Sequence, residues 1–573
     1  MKKSLLFSMV IAAGINNVFA ADPKVYQNAS FQCISADGHI AVSEVRGYVV
    51  IYDLITGKQT TFGPDGDAGI YTEYSLGNGN CITADGSIIL GSENLDKAIY
   101  IQDGKIYELD VPNPNLTNSY NGITPDGSRI CGNVGCATMA DAYASDVTMN
   151  APAYWDRNND GKGYSSYHLL PAPELDFFGR APQYIKAIVI SSDGKTIAGQ
   201  ITDARGMYAY PILYQQDDKG DWSYSLPTEK YFNPDKLPAV ELPGEAPDYP
   251  NPADYMSGER KEAYQTAYDN WEWPNPEDYM TEEEKVEYAK VLEKYQTDFE
   301  AWSEKNAAYD DYYYAVIDAS PNFLTNNVFL STDGKKIVSS LCRTIDNPDP
   351  MSWLPWIDIY TPCSIDVVSF TLTTLDSDIS CMVTGVADNN IILAANEVQS
   401  VPMIGYVIQD GNIQTVDKYI SSRNSAYGEW ITKNLTHECI TGFDEDYNEI
   451  IEEVTYTGIP IATPDMNYIS IWNDRGWDYD NYDIVAESVV FDMTASAGMS
   501  VANIGSEELT VDEKGNINVP EGFASVQIYN INGTCVKSVE AYAGTINLNI
   551  ANGVYIIKGI RNDGYTSIIK YSK

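Results

Sequence analysis

One short pattern, returning along most of the chain, limits what it can fold into more than any other feature. An apolar residue, Ser or Thr, any residue, Asp and Gly recur as Ile34-Ser35-Ala36-Asp37-Gly38, Ile82-Thr83-Ala84-Asp85-Gly86, Ile123-Thr124-Pro125-Asp126-Gly127, Ile190-Ser191-Ser192-Asp193-Gly194 and Leu330-Ser331-Thr332-Asp333-Gly334. Two looser copies follow, Val386-Ala387-Asp388-Asn389-Asn390 and Ala462-Thr463-Pro464-Asp465-Met466. An Asp that can bond its own turn amides, followed by a residue that tolerates positive φ, reads as a tight turn joining two strands. After each turn comes another pair of apolar runs around a second turn, as in Ala98 to Tyr107 and again in Tyr406 to Ile413. Four short strands per unit make a propeller blade, and the first two intervals between the Asp residues, 48 and 41, match a blade's usual length. The expectation is an all-β chain: a seven-bladed β-propeller over residues 21–495, with an acidic helical-hairpin insertion at 226–320 and a small C-terminal β-sandwich at 496–573.

These turns resemble the Ser-Pro-Asp-Gly hairpins of TolB-like and WD40-like propellers and the extracellular HAF repeats, over about residues 24 to 495. The Trp-Asp strand ending of true WD40 repeats and the sialidase Asp-box are both missing. The resemblance implies a propeller and says little of activity, since propellers carry enzymes, binding modules and scaffolds alike.

Between the fourth and fifth copies the chain changes character. Residues 226–320 hold 23 Asp plus Glu against 8 Lys plus Arg. A Pro-rich lead-in precedes a helix capped by Ser257 and running to about Trp271; Pro274 and Pro276 then break it. Thr281-Glu282-Glu283-Glu284 opens a longer helix as a capping box. On that helix Tyr288, Leu292, Tyr295, Phe299 and Trp302 recur at helical spacing. Either Tyr264, Tyr268 and Trp271 pack on this stripe as a helical hairpin, or the segment is an exposed arm. In the second case Tyr264, Tyr268, Trp271, Trp273, Tyr295 and Trp302 are the candidate ligand-binding residues, since Tyr and Trp dominate interface anchors and stack on sugar faces.

The net charge of −45, from 81 acidic and 36 basic side chains, would repel a phosphate backbone, so nucleic acid and anionic membrane are poor partners and no nucleic acid is expected. No segment past the start is long and apolar enough to span a bilayer. Lys2 and Lys3, the apolar run Leu5 to Ala13 and the small-residue positions of Val18-Phe19-Ala20 read as a signal peptide over 1–20. The chain is therefore expected to be exported, to a periplasm, an outer-membrane surface or the medium. Of the nine cysteines, Cys33 and Cys81 occupy the same point of two repeats and read as buried small hydrophobes, while Cys131 with Cys136 and Cys342 with Cys363 are the pairs an exported compartment would allow to bridge.

Catalytic signals are weak. The three histidines are scattered, and neither a Gly-x-Ser-x-Gly nor a phosphate loop occurs. With this many acids, a carboxylate pair for glycan hydrolysis or cleavage by a lyase at a central channel remains an alternative. No cofactor is called for. Asp156, Asn158 and Asp160 match the first half of a calcium loop, so calcium there is possible, although the twelfth position is Tyr167.

From about Met499 the acidity falls and short alternating strands follow, Ser525 to Asn530, Thr545 to Ile550, Gly553 to Lys558 and Ser567 to Tyr571. This end resembles the type A sorting domain of exported Bacteroidetes proteins, lacking the usual Pro-Asn-Pro opening. An accessory sandwich without a sorting role fits the same pattern. The leading expectation is an exported cell-envelope binding or scaffold protein that engages glycan or protein.

Overall fold

The computed structural model describes residues 22–572 except 46, 64–73, 77–79, 94–96, 115, 137–148, 233–240, 348–354, 376–378, 397–402, 444–448, 479–482, 495–509, 512–515, 520–522, 531–534, 541–543, 548–553 and 562–565. The signal-peptide reading at 1–20 lies outside the described residues. The chain divides into two compact units, 1–497 and 498–573.

Six of the seven Asp turns are held in one way; the copy at Asp388 has Ala387 in place of the hydroxyl residue. Ser35 Oγ donates to Asp37 Oδ1 (2.6 Å) and accepts the Ile40 N–H (2.9 Å), while Asp37 Oδ1 takes the His39 N–H (3.0 Å). Thr83, Thr124, Ser191, Ser331 and Thr463 repeat the arrangement with Asp85, Asp126, Asp193, Asp333 and Asp465 at 2.6 to 2.9 Å. All six hydroxyl residues are buried, so each turn carries its own polar satisfaction inward. The glycines adopt φ of 68° to 73°, and at Gly86 a Cβ would also come within 2.5 Å of Ile40 in the preceding sheet. In the looser copies Asn389, Asn390 and Met466 take the left-handed conformation instead, and Met466 repays it by burial in the core.

These turns join the first two strands of successive four-stranded antiparallel sheets over residues 119–169, 184–225 and 323–374; at 31–62 and 382–415 the order is the same, and at 74–108 the turn precedes the second strand. A seventh sheet combines Ile459–Ala462, Tyr468–Asp478 and Asp483–Asp492 with the N-terminal strand Lys24–Gln27, Lys24 pairing with Val490 and Gln27 with Glu487. Successive four-stranded sheets whose last member is completed by the chain's first strand are the organisation of a β-propeller. Neighbouring turns also bond one another: Asp37 N–H reaches Ala84 O, Ala84 N–H reaches Pro125 O, and Asp388 N–H reaches Pro464 O. At the join between last and first sheets, Phe31 N–H donates to Ser488 Oγ, which itself donates to Ala29 O.

Two further helices, Val416–Arg423 and Ser425–Leu435, and a hairpin of Thr436–Phe443 with Glu449–Thr455 separate the sixth and seventh sheets. Asn424 caps the second helix, and Tyr419, Ile420, Tyr427, Ile431 and Leu435 share a core with Val407, Ile469 and Phe491. Their 3.6-residue apolar spacing is in the sequence, but the repeat pattern draws attention away from it.

The strands set both cysteine pairs suggested by sequence apart. Cys131 and Cys136 lie on one strand, five residues or about 16 Å apart, well beyond disulfide reach. Cys342 registers with Tyr360 and Cys363 with Ser339 on the adjoining strand, so the two are offset by three residues.

In the second unit, one sheet joins Thr510–Val511, Asn516–Val519 and Gly544–Asn547, and another joins Cys535–Glu540, Phe523–Asn530, Val554–Arg561 and Thr566–Ser572. Ile517 and Val519 of the first sheet share a core with Val526, Ile528, Tyr555 and Ile557 of the second.

Candidate binding surface on the acidic arm

Between the strand Trp222–Ser225 and the strand Phe323–Leu330 the described chain holds short 3-10 turns and two helices, Gly258–Asp269 and Glu282–Ala319. At 38 residues the second helix is about 57 Å long. Its start is the expected capping box: Thr281 Oγ1 accepts the Glu284 N–H (3.2 Å) and Glu284 Oε2 accepts the Thr281 N–H (2.7 Å). The Thr281 amide, then Ser257 and Arg260, hold the Glu284 carboxyl down to about 2. Ser257 does not cap its own helix, as the sequence suggested; its hydroxyl donates to Glu284 Oε1 across the pair (2.9 Å).

The far end of the long helix is rooted in the fourth sheet. Tyr313 OH donates to the buried Asp203 carboxylate (2.6 Å), Arg205 bridges to Asp310 (2.6 Å), and the Arg205 guanidinium lies 4.8 and 4.6 Å from the Tyr309 and Tyr313 ring centres. Asp203 is fixed in turn by the N–H groups of Met207 and Tyr208. Burial followed by the Asp203 contact keeps the Tyr313 hydroxyl well above its ordinary range, so it stays a donor.

The first helix covers the stripe at Tyr264, as the hairpin expectation had it, and the Pro-rich lead-in covers it further along. Tyr264 and Tyr288 are buried together with Ala253, Met256 and Met280. Further along, the Pro-rich lead-in lies on the helix: Tyr249 packs edge-on to Tyr295 (5.2 Å), and Trp302 Nε1 donates to Gly244 O (3.3 Å). Tyr295 and Trp302 are therefore half-buried parts of the arm's own packing. Among the described residues no ring of Tyr268, Trp271 or Trp273 pairs with a ring of the stripe.

They form an exposed cluster instead. Tyr268 is 50%, Trp271 77% and Trp273 70% exposed, with Trp273 edge-on to both neighbours at 6.0 and 5.9 Å. The backbone explains their display. The Trp271 N–H bonds Tyr268 O (2.9 Å) and the Glu272 N–H bonds Ala267 O (3.0 Å), the paired bonds of a Schellman helix ending. Its left-handed position, normally glycine, is occupied by Trp271 at φ 61°, and Trp273 is left-handed too at φ 47°. Bulky residues there are strained by about 1–2 kcal/mol each, and neither ring recovers that by burial. Asp269, Glu272, Glu277 and Asp278 flank the cluster in sequence.

At the calcium candidate each of the three side chains makes a hydrogen bond. Asp156 takes the Arg129 Nε–H (2.5 Å), Asn158 turns its amide N–H toward Lys162 O and Tyr164 O, and Asp160 accepts the Lys162 N–H (2.8 Å). Among the described residues no three His, Cys, Asp or Glu side chains gather as a metal site, and no helix is long and apolar enough to cross a membrane.

A cavity of about 190 Å³ is lined by the Asp turns and the residues leading into them, such as Ala36, Ala84, Pro125, Ser192, Thr332 and Pro464. Among the described residues its walls include Cys33 and Cys81 and hold no carboxylate, imidazole or phenol. The described lining presents hydroxyls, amides, thiols and apolar side chains.

No protein-family model and no curated protein matches the sequence. Among solved structures, the Dos1 propeller is similar at 8% identity and a TM-score of 0.37 over 82% of this chain and 95% of that one. TolB from Acinetobacter baumannii aligns at 10% identity and a TM-score of 0.29, covering 72% and 67%. The polysaccharide lyase Uly1 aligns at 9% identity and a TM-score of 0.33, covering 83% and 90%.

Proposed function

We propose that this chain is an exported binding protein of a Bacteroidetes-like cell envelope, which uses the tip of its acidic arm to hold a neutral glycan. In this reading the seven sheets are the blades of a closed propeller serving as a rigid base, and the C-terminal unit is a β-sandwich of the sorting-domain kind. The observation that carries the reading is the pair Trp271 and Trp273, kept exposed in strained backbone where glycine would be easier. Strain without burial suggests that the rings are retained for what they touch. Indole faces stack on the C–H faces of sugars, and the neighbouring carboxylates accept sugar hydroxyls while repelling uronates and phosphates. The rooted helix supports the same reading, because a fixed arm loses little freedom on binding.

The test is retention of residues 21–573 on neutral polysaccharides (xylan, mannan, β-glucan) beside polygalacturonate, with reducing-end release followed in parallel. Retention on a neutral polymer that falls at least tenfold in the Trp271→Ala/Trp273→Ala double variant, without sugar release, is the expected result. Retention unaffected by the double variant would remove the arm from the site. Sugar release would replace binding by hydrolysis, and loss of capture of a protein in the double variant would replace glycan by protein.

A further inference from the structure

Cys33 and Cys81 each immediately precede the Ile-Ser or Ile-Thr of the first and second Asp turns. The fold brings these equivalent positions together. Both line the central cavity, and Cys33 packs on the apolar cluster that contains Cys81. That contact bridges two sheets at a mechanically important place. Cys33 follows by six residues the strand Lys24–Gln27 that completes the seventh sheet, so it lies in the short segment on which ring closure depends.

From this placement we infer that Cys33 and Cys81 are a disulfide pair, formed when the chain folds in an oxidising compartment, that fastens the closing segment to the second sheet. The bond would enclose a 48-residue loop of the unfolded chain, a constraint large enough to matter. Two S–H bonds break and one S–S bond forms. The electron pair passes to a disulfide carrier, oxidised glutathione or an oxidised dithiol protein, whose own S–S bond becomes two thiols by taking up both protons. Hydrogen bonding to Cys81 and then burial hold the Cys33 thiol well above its ordinary range in the folded chain. Thiolate attack is therefore slow once the sheets have closed, which places the reaction during folding and makes the bond a permanent fastening. The inference rests on the exported location only for where oxidation occurs; the pairing rests on the fold.

The full chain is refolded in a reduced/oxidised glutathione mixture, alkylated and cut with trypsin, which places Cys33 on peptide 25–46 and Cys81 on peptide 59–97. Recovery of these peptides as one cross-linked species, with a melting temperature about 5 °C above that of the reduced chain, is the expected result. Cys33→Ser and Cys81→Ser should each abolish the species and the rise alike. Recovery of both peptides fully alkylated from refolded, compact protein would overturn the pairing. The same map on chain taken from the producing cell separates the two readings: a cross-link in vitro with free thiols in the cell would refute the exported location and leave the pairing standing.

Discussion

Replacing Thr124 by valine tests the device that repeats through the propeller. The hydroxyl is fully buried, donates to Asp126 Oδ1 at 2.7 Å and accepts the Arg129 N–H at 3.0 Å. Valine keeps the shape, so no cavity opens and the change is almost purely polar. Losing a bond to a carboxylate removes about 1.5 kcal/mol, and leaving an inward N–H without its acceptor adds about 1–2 kcal/mol, for a loss near 3 kcal/mol. Thr124→Ser keeps both bonds and should lose less than about 1 kcal/mol. Urea unfolding followed by tryptophan fluorescence reads the difference between the two variants against the parent chain. A valine variant within about 0.5 kcal/mol of the parent would show that the hydroxyl is not what holds the turn, and the reasoning for all six turns would fall with it.

Acid should weaken the same turns together: Ser191 and Ser331 hydroxyls depress Asp193 and Asp333, and the Ser87 N–H depresses Asp85. A depressed carboxyl contributes stability that is complete above the ordinary value near 4 and is lost as pH falls through the folded one. Melting temperature should therefore hold from pH 7 to about 5 and fall below about 4; a flat profile to pH 2.5 would contradict this. Tyr313→Phe removes the phenol donor from Asp203 and should destabilise the arm's root by about 2 kcal/mol, read as faster hydrogen exchange over residues 305–319; unchanged exchange would show that the root does not depend on that bond. Trp271→Gly puts the usual residue at the Schellman position and should slow exchange in Gly258–Asp269 while weakening glycan retention. Faster exchange would mean that the indole supports the helix rather than burdening it. Gly86→Ala, whose Cβ meets Ile40 from the neighbouring sheet, should lose about 2 kcal/mol or more; a neutral result would deny the tight approach.

Much of the architecture was legible because its cause is local. An Asp bonding amides two residues ahead, a hydroxyl bonding that Asp and a left-handed glycine all act within six residues, so the Ser-x-Asp-Gly pattern announces each turn wherever it occurs. The capping box at Thr281 and Glu284 was readable for the same reason. Legibility failed where the partner lies far along the chain. The stripe on the long helix was plain, but only packing decided that Tyr249 and Gly244 cover it while Tyr268, Trp271 and Trp273 stay exposed. Likewise the bond from Arg129 to Asp156 joins neighbouring strands and could not be read from the loop's spacing. Cys33 and Cys81 stood out in sequence only as equivalent points of two repeats; their contact exists because adjacent sheets bring equivalent points together.

Sequence by itself thus determined the turns, the helix starts, the acidity of the arm and the strand periodicity, all set by bonds or patterns a few residues long. Tertiary structure decided which strand completes the last sheet, what covers each aromatic face and which side chains meet in the central cavity. Those outcomes depend on contacts between residues tens to hundreds of positions apart, whose energies no local pattern contains.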